Sequence, residues 1–166
     1  MDDPVLARRS IRAYTDEPVS DDQVERLLRA AMAAPSAGNQ QPWEFVVVRD
    51  RETLAAVPSF HPYARVLERT PVAIVVCGRA AGRWPQFWGQ DCAAAVENVL
   101  IEAQLLGLGA VWLGVHPLEE RVVGLRRLLG MPDDVIPFAV VAVGHPAERK
   151  SPSDRYDPGR VHAERW

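Results

Sequence analysis

Three arginines and a serine lie within five consecutive positions near the N-terminus, as Arg8, Arg9, Ser10 and Arg12. Guanidinium groups bind phosphate oxygens through paired hydrogen bonds, and a serine hydroxyl can add another. The segment therefore has the composition of a phosphate-binding site in a chain that is otherwise acidic. A solvated basic surface has the same composition, so the segment alone does not separate the two interpretations.

Residues 34–43 form a second candidate, because a predicted helix ends there and two amides precede a predicted strand. Asn39 and Gln41 each carry a donor and an acceptor on one group, which suits the alternating carbonyl and N–H edge of a planar heterocycle. The alternative is a turn whose side chains bond their own main chain. For the isolated stretch, the turn is the simpler interpretation.

The glycine-rich run at 107–114 resembles a dinucleotide-binding loop only superficially. It follows a predicted helix and precedes a predicted strand, which is the reverse of the Rossmann arrangement, so we exclude that function. Two explanations for Gly107 and Gly109 remain open. They either let the main chain approach a flat ligand closely or end the preceding helix.

No side chain is recognisable as a nucleophile or a metal ligand. The four histidines are scattered along the chain, at His61, His116, His145 and His162. There is no HExxH, GxSxG or CxxC pattern, so we expect no metal site and no catalytic side chain. Cys77 and Cys92 are expected to be reduced, buried thiols. Redox chemistry supplied by a bound cofactor is consistent with this absence.

Composition excludes several classes of protein. With 19 Lys and Arg against 22 Asp and Glu in 166 residues, the formal charge is −3, which argues against nucleic acid as the main partner. A hydrophobic content of 48% argues against disorder. No apolar run reaches the length of a membrane span, and the N-terminus lacks the features of a signal peptide. We therefore expect a cytoplasmic protein with no membrane partner.

Hydrophobic periodicity predicts three main helices and four strands. The first helix, at about 20–34, begins with a capping box of Ser20 and Gln23 and stops at Pro35. A helix at about 91–106 is apolar nearly all round, which indicates a central position or a subunit interface. A third helix begins at Pro117 and ends at Gly130. The predicted strands are 43–48, 72–77, 110–115 and 138–143.

The alternation of these elements predicts a single domain over 1–166 of mixed α and β structure, with helices on both faces of the sheet. The tail, residues 145–166, is polar and has no periodicity, yet it ends on Trp166. We expect this tail to dock on a protein surface.

Taken in order, these segments resemble the nitroreductase family of FMN-dependent oxidoreductases, here as a compact member. The matching stretches are Arg-Arg-Ser-Ile-Arg at 8–12, Ala-Pro-Ser-Ala-Gly-Asn-Gln-Gln-Pro-Trp at 34–43, Gly-Leu-Gly-Ala-Val-Trp-Leu-Gly at 107–114, and three parts of the tail, 143–148, Arg155 and 160–166. Each motif alone is weak, but their order and spacing across nearly the whole chain favour the ligand-binding interpretation of each.

The resemblance implies an α+β, three-layer fold with a central mixed sheet of about four core strands and helices on both faces. It also implies a homodimer with two FMN molecules at the interface, with the tail docking on that dimer. It assigns the ribityl, phosphate and pyrimidine contacts to Arg8, Arg9, Ser10, Arg12 and Arg155. It assigns the isoalloxazine contacts to the partner's copies of Pro35, Ser36 and Asn39, with Gln41 close by. Main-chain contacts near the reactive edge of the flavin are assigned to Trp112, Leu113 and Gly114. The family often has a basic residue two positions before the tail arginine. In this chain that position is Ser153, and Lys150 lies further back.

The implied reaction is a ping-pong hydride transfer, in which NADH or NADPH reduces the flavin at N5 and an acceptor such as a nitroaromatic or quinone then replaces it. Residues 58–71 and 84–88 are expected to line the substrate pocket. Two alternatives remain open: a specialised flavin reaction, such as reductive dehalogenation, flavin fragmentation or ring dehydrogenation, and a flavin-storage module with little turnover.

Overall fold

A computed structural model describes residues 3–151 and 153–166, and it contains a four-stranded sheet with helices on both faces. The strands are β1 (Trp43–Val48), β2 (Val72–Gly78), β3 (Gly109–Gly114) and β4 (Ile136–Gly144), in the spatial order β1-β2-β4-β3. The helices are α1 (Pro4–Ala7), α2 (Asp21–Met32), α3 (Arg51–Ala56), α4 (Trp88–Leu105) and α5 (Glu119–Leu129). The predicted α+β class is confirmed.

The prediction of a mixed sheet was wrong, because every neighbouring pair of the four strands is antiparallel. After β1 and after β3, the connections through α3 and α5 return the chain to the end of the sheet that it has just left. β2 is therefore antiparallel to β1, and β4 is antiparallel to β3. α4 crosses the sheet and makes β3 parallel to β2, but β4 lies between them. An isolated parallel bridge joins Ser10 to Ala110.

The sheet separates two hydrophobic cores. One face packs against α2 and α4, and the other against α3, α5 and the short turns at 57–59 and 65–69. No residue of α4 from Asp91 to Gln104 is exposed, which explains the apolar character of this helix on all sides. Buried apolar area of this kind is the main favourable contribution to folding.

The two cysteines lie in different cores, Cys92 with α4 and Cys77 beneath the opposite face. Both are buried free thiols, as predicted. Burial raises the pKa of each thiol to about 12, because an apolar environment disfavours the thiolate.

Local signals set several helix ends as the sequence predicts. The Ser20 side chain accepts a hydrogen bond from the Gln23 main chain, and the Gln23 side chain accepts one from the Ser20 main chain. Gly130 ends α5 with φ at +62°, a left-handed conformation that favours glycine. α4 begins three residues before the predicted Asp91, at Trp88, whose ring packs edge-on against His116 and Phe138.

The first part of the tail lies along the segment that follows α1. The Thr15 N–H donates to the His145 carbonyl over 2.9 Å, and the Ala147 N–H donates to the Ala13 carbonyl over 2.9 Å. From Ser153 to Trp166 every residue is exposed in the single chain. Among the helices of the described residues, none is long and apolar enough to cross a membrane.

Candidate functional site

Arg8, Arg9 and Arg155 come together from opposite ends of the chain. They line one open cavity of about 530 Å³, which we call the arginine cavity. Its other lining residues are Val5, Leu6, Ser153, Asp154 and Tyr156. Three guanidiniums around one cavity form an environment for an anion, although the Asp154 carboxylate also lies at its wall.

Both N-terminal arginines are held by neighbouring groups. Arg9 donates from Nε to the Ser151 carbonyl over 3.0 Å and from Nη1 to the Leu6 carbonyl over 2.9 Å. Its Nη2 atom is buried and has no hydrogen-bond partner among the described residues. The Nε atom of Arg8 lies 3.2 Å from Oε1 of Glu97 on α4. The arginines are thus fixed in place, while Arg9 retains a free donor.

The tail reaches the arginine cavity through a set of contacts with residues 10–12. Lys150 Nζ donates to the Ser10 carbonyl over 2.7 Å, and the Arg12 N–H donates to Glu148 Oε1 over 2.6 Å. Lys150 therefore does not replace the cation that is missing at Ser153, because it binds Ser10 outside the arginine cavity. The Arg12 side chain is exposed and does not line the arginine cavity.

Strand β3 is an edge strand, and its outer side faces this region. The Ala110 carbonyl accepts a hydrogen bond from the Ile11 N–H over 3.0 Å. Because main-chain groups alternate along a strand, those of Trp112 and Gly114 point to the same outer side. Arg121 Nη1 donates to the outward Gly114 carbonyl over 2.8 Å. Leu113 is buried in the core beneath the sheet.

The two glycines of this run have different roles. Gly107 follows α4 with φ at +70°, which supports the helix-end explanation. A Cβ at Gly109 would lie 2.7 Å from Ile11 Cγ2, so this glycine permits a close approach of protein rather than ligand. A Cβ at Gly114 would meet no other atom within 4 Å, so the space beside its Cα is free.

Ser36 to Gln41, which we call the amide loop, has an uncommon backbone. Gly38, Asn39 and Gln41 have φ values of +58°, +54° and +48°. The Gln41 N–H donates to Ser36 Oγ over 3.0 Å, and Gln41 Nε2 donates to Asn39 Oδ1 over 3.2 Å. Left-handed non-glycine residues cost about 1–3 kcal/mol each and cluster at functional sites. The loop is therefore both a self-bonded turn and a strained, exposed pair of amides.

Asp91 supports the amide loop from outside it, and neither Asp91 nor Gln40, which lies within the loop, was identified from the sequence as a site residue. Asp91 is 6% exposed, and its Oδ1 accepts a hydrogen bond from the Ala37 N–H over 3.0 Å. A carboxylate at the start of the mostly apolar helix at 91–106 was the available signal. Asp91 also lines a second cavity, of about 290 Å³, with Pro35 and Ser36.

Within one chain, the predicted site residues fall into separate groups. The arginine cavity contains Arg8, Arg9 and Arg155, whereas Pro35 and Ser36 line the second cavity. Trp88, expected at the substrate pocket, is instead buried in the core because it begins α4 beneath β4. Of residues 57–69, Val57, Ala64 and Leu67 are buried in the core on the α5 side of the sheet, whereas Tyr63 is 76% exposed.

Comparisons with known proteins show what the chain is similar to. It is 48% identical over 163 residues to a Methanothermobacter thermautotrophicus protein provisionally named NADH dehydrogenase/NAD(P)H nitroreductase, covering 98% of this chain and 85% of the relative. A crystal structure provisionally named NADH oxidase, from Clostridium acetobutylicum, has a TM-score of 0.95 at 46% identity and covers 99% and 100% of the two chains.

An FMN-dependent nitroreductase from Clostridium difficile has a TM-score of 0.93 at 27% identity, with 100% of each chain covered. A family model described as the nitroreductase family matches residues 5–65 and 61–145. The fold, the order of its motifs and these matches agree, and the chain belongs to the nitroreductase family.

Proposed function

We propose that this chain is an FMN-dependent NAD(P)H oxidoreductase that acts as a homodimer and reduces acceptors such as nitroaromatics or quinones. The observation that carries the proposal is the convergence of Arg8, Arg9 and Arg155 on one cavity. The names of the relatives, which include an FMN-dependent nitroreductase and an NAD(P)H nitroreductase, support it.

The arginine cavity fits the phosphate of FMN. Arg9 has a buried Nη2 donor with no partner among the described residues, which a phosphate oxygen would satisfy. Arg155 is exposed in the single chain, and among the described residues its guanidinium donates only from Nε to Ser153 Oγ, over 3.2 Å, so its other N–H groups are available. Asp154 lowers the net positive charge of the cavity and limits its affinity for a dianion.

The separation of the arginine cavity from the amide loop supports a site built from two copies of the chain. The phosphate would lie among the arginines of one subunit, and Pro35, Ser36 and Asn39 of the partner would line the flavin ring, with Gln41 nearby. The outward main chain of Trp112 and Gly114 on β3 would provide hydrogen bonds along the same ring. Ser10 and Arg12, beside the arginine cavity, would complete the contacts with the ribityl chain and pyrimidine.

Exposed apolar residues indicate which surface the partner covers. Val5 and Leu6 on α1 are 58% and 70% exposed and line the arginine cavity beside Tyr156. Val161 and Trp166 are exposed further along the tail. Obligate interfaces commonly bury about 2,000 Å² or more, and the tail would dock on the partner to contribute to that area.

FMN, when bound, supplies the redox chemistry by accepting hydride from NAD(P)H and passing electrons to the acceptor. The protein binds and orients the reactants, which is the larger part of what such a site contributes. The arginines anchor one end of the cofactor, and the strained amide loop holds its amides in one conformation. No titratable side chain is assigned as a proton donor, and water would supply the protons.

The test is the absorbance spectrum of the purified protein, followed by turnover with NADH and NADPH. We expect flavin absorbance bands and steady-state oxidation of at least one nicotinamide with menadione or a nitrofuran as acceptor. A colourless protein that takes up no FMN would refute the proposal. Bound FMN with negligible turnover would instead indicate a flavin-storage module.

A further inference from the structure

Gln40 links the amide loop to the exposed segment that precedes α4. Its Nε2 donates to the Trp84 carbonyl over 2.9 Å, and the Trp84 N–H donates to its Oε1 over 3.1 Å. Both ends of one amide group therefore bind the main chain of one residue. The buried Asp91 carboxylate lies 3.5 Å from the same Nε2 atom, so the loop, Trp84 and α4 form one connected unit.

Two glycines allow this close contact. A Cβ at Gly38 would lie 2.9 Å from Trp84 Cδ1, so the amide loop touches the indole edge at a distance that only glycine permits. Gly82 has φ at +88°, and a Cβ there would lie 3.1 Å from Gln40 Oε1. The indole of Trp84 is thus held in place beside the loop.

Arg83 adds a cation to this aromatic surface. Its guanidinium carbon lies 5.3 Å from the centroid of the Trp84 ring, within the range of a cation–π contact. In residues 3–151 and 153–166, Arg83 forms no salt bridge with an acidic side chain. The nearby Asp91 is buried and already accepts from Ala37, while the Trp84 side chain remains 39% exposed.

We propose that Arg83 and Trp84 form a binding surface for flat aromatic acceptors that carry an anionic group, and that Gln40 positions this surface against the amide loop. The ring of the acceptor would pack on the indole, and its carboxylate would pair with the guanidinium. The inference rests on the proposed function, because the amide loop is the part of the chain expected to lie along the flavin.

The first test measures equilibrium binding by calorimetry, without reductant, of 4-nitrobenzoate and of the uncharged 4-nitrobenzamide. The intact protein should bind the anion more tightly than the amide. Arg83→Gln should lose about two- to fivefold in affinity for 4-nitrobenzoate, as for one exposed ion pair, and nothing for 4-nitrobenzamide. Equal effects on the two ligands, or no effect on either, would overturn the charge selectivity.

The second test separates positioning by Gln40 from a general effect on the fold. Trp84→Leu should weaken both ligands by about two- to tenfold, as expected for the loss of an aromatic contact. Gln40→Ala should weaken them to a similar degree, and the double variant should be no worse than either single one. Additive losses would contradict positioning. Gln86→Ala, in the same exposed segment, is the control and should leave both affinities unchanged.

The FMN content of each preparation separates a failure of this inference from a failure of the proposed function. If the intact protein and the Arg83→Gln variant both retain FMN but show no anion selectivity, the inference fails and the proposed function stands. If the intact protein takes up no FMN at all, the proposed function fails, whatever the nitrobenzoate affinities are.

Discussion

The Oε1 atom of Glu148 accepts a hydrogen bond from the Arg12 N–H over 2.6 Å and lies 3.2 Å from Nζ of Lys150. One carboxylate thereby fastens the beginning of the tail to the arginine segment. The Arg12 N–H and Lys150 hold the pKa of Glu148 below its usual value of 4.5. Further along the same tail, Arg155 lines the arginine cavity with Arg8 and Arg9.

Glu148→Ala is therefore expected to weaken FMN binding by about three- to tenfold, because it removes a charge-assisted hydrogen bond that is partly exposed to solvent. Glu148→Gln keeps an acceptor oxygen and should lose less. Since the folded-state pKa is lowered, the contact is present above the unfolded value and is lost as pH falls through the folded value. Titration with FMN monitored by flavin fluorescence measures both variants. An unchanged Kd for Glu148→Ala would mean that the tail position is independent of this contact.

Arg155→Ala should weaken FMN binding by about 10- to 150-fold, the range expected when a charge-assisted hydrogen bond to phosphate is lost. Arg12→Ala is expected to weaken it as well, if its exposed side chain contacts the cofactor in the dimer. Arg149→Ala is the matched control, because Arg149 is an exposed tail arginine outside the arginine cavity. The same titration gives all three affinities. Equal Kd values for the Arg155 and Arg149 variants would place the phosphate elsewhere.

We expect buried His61 to contribute to a loss of stability at acidic pH. It is 1% exposed, its two ring nitrogens have no hydrogen-bond partner among the described residues, and burial and nearby Arg121 lower its pKa below 6.5. Below about pH 6.5 the unfolded chain binds a proton that the folded protein resists, so the free energy of unfolding falls as the pH is lowered.

His61→Leu should therefore reduce the loss of stability between pH 7.5 and 5.5, and it also removes an unsatisfied buried polar group. Urea denaturation at the two pH values measures the difference. The control is His162→Asn, in the exposed tail. Between pH 7.5 and 5.5, the free energy of unfolding of this variant should fall by as much as that of the unaltered protein. If the free energy of unfolding of His61→Leu also falls by as much as that of the unaltered protein, His61 makes no contribution to the acid sensitivity.

Local signals in the sequence predicted the parts of the fold that depend on a few neighbouring residues. The capping box of Ser20 and Gln23 and the bounds of β1 are examples. Helix α3 was missed because it has only six residues, too few for a periodic pattern, and two prolines, Pro58 and Pro62, follow it closely. The Asp50 side chain accepts from the Thr53 N–H, and this capping pattern was the signal that could have revealed α3.

Long-range contacts limited how much of the candidate site could be predicted from the sequence. The resemblance to a family assigned Arg8, Arg9 and Arg155 to one ligand, and the fold brings them to one cavity. The contact of Gln40 with Trp84 joins a side chain to the main chain of a distant segment, and no spacing or periodicity encodes such a pair. The directions of the strands could not be predicted from the sequence either, because the path of α4 across the sheet depends on packing rather than on local sequence.

Mixing subunits that carry Arg155→Ala with subunits that carry Asn39→Ala tests whether one FMN site uses two copies of the chain. FMN binding is measured at a cofactor concentration at which neither homodimer is occupied. If Asn39 acts on the partner's site, each heterodimer has one site with both lesions and one intact site, so one of the two sites in every heterodimer should bind FMN as the unaltered protein does. Verified heterodimers that bind no FMN would show that Asn39 serves its own subunit, and the shared site would be refuted.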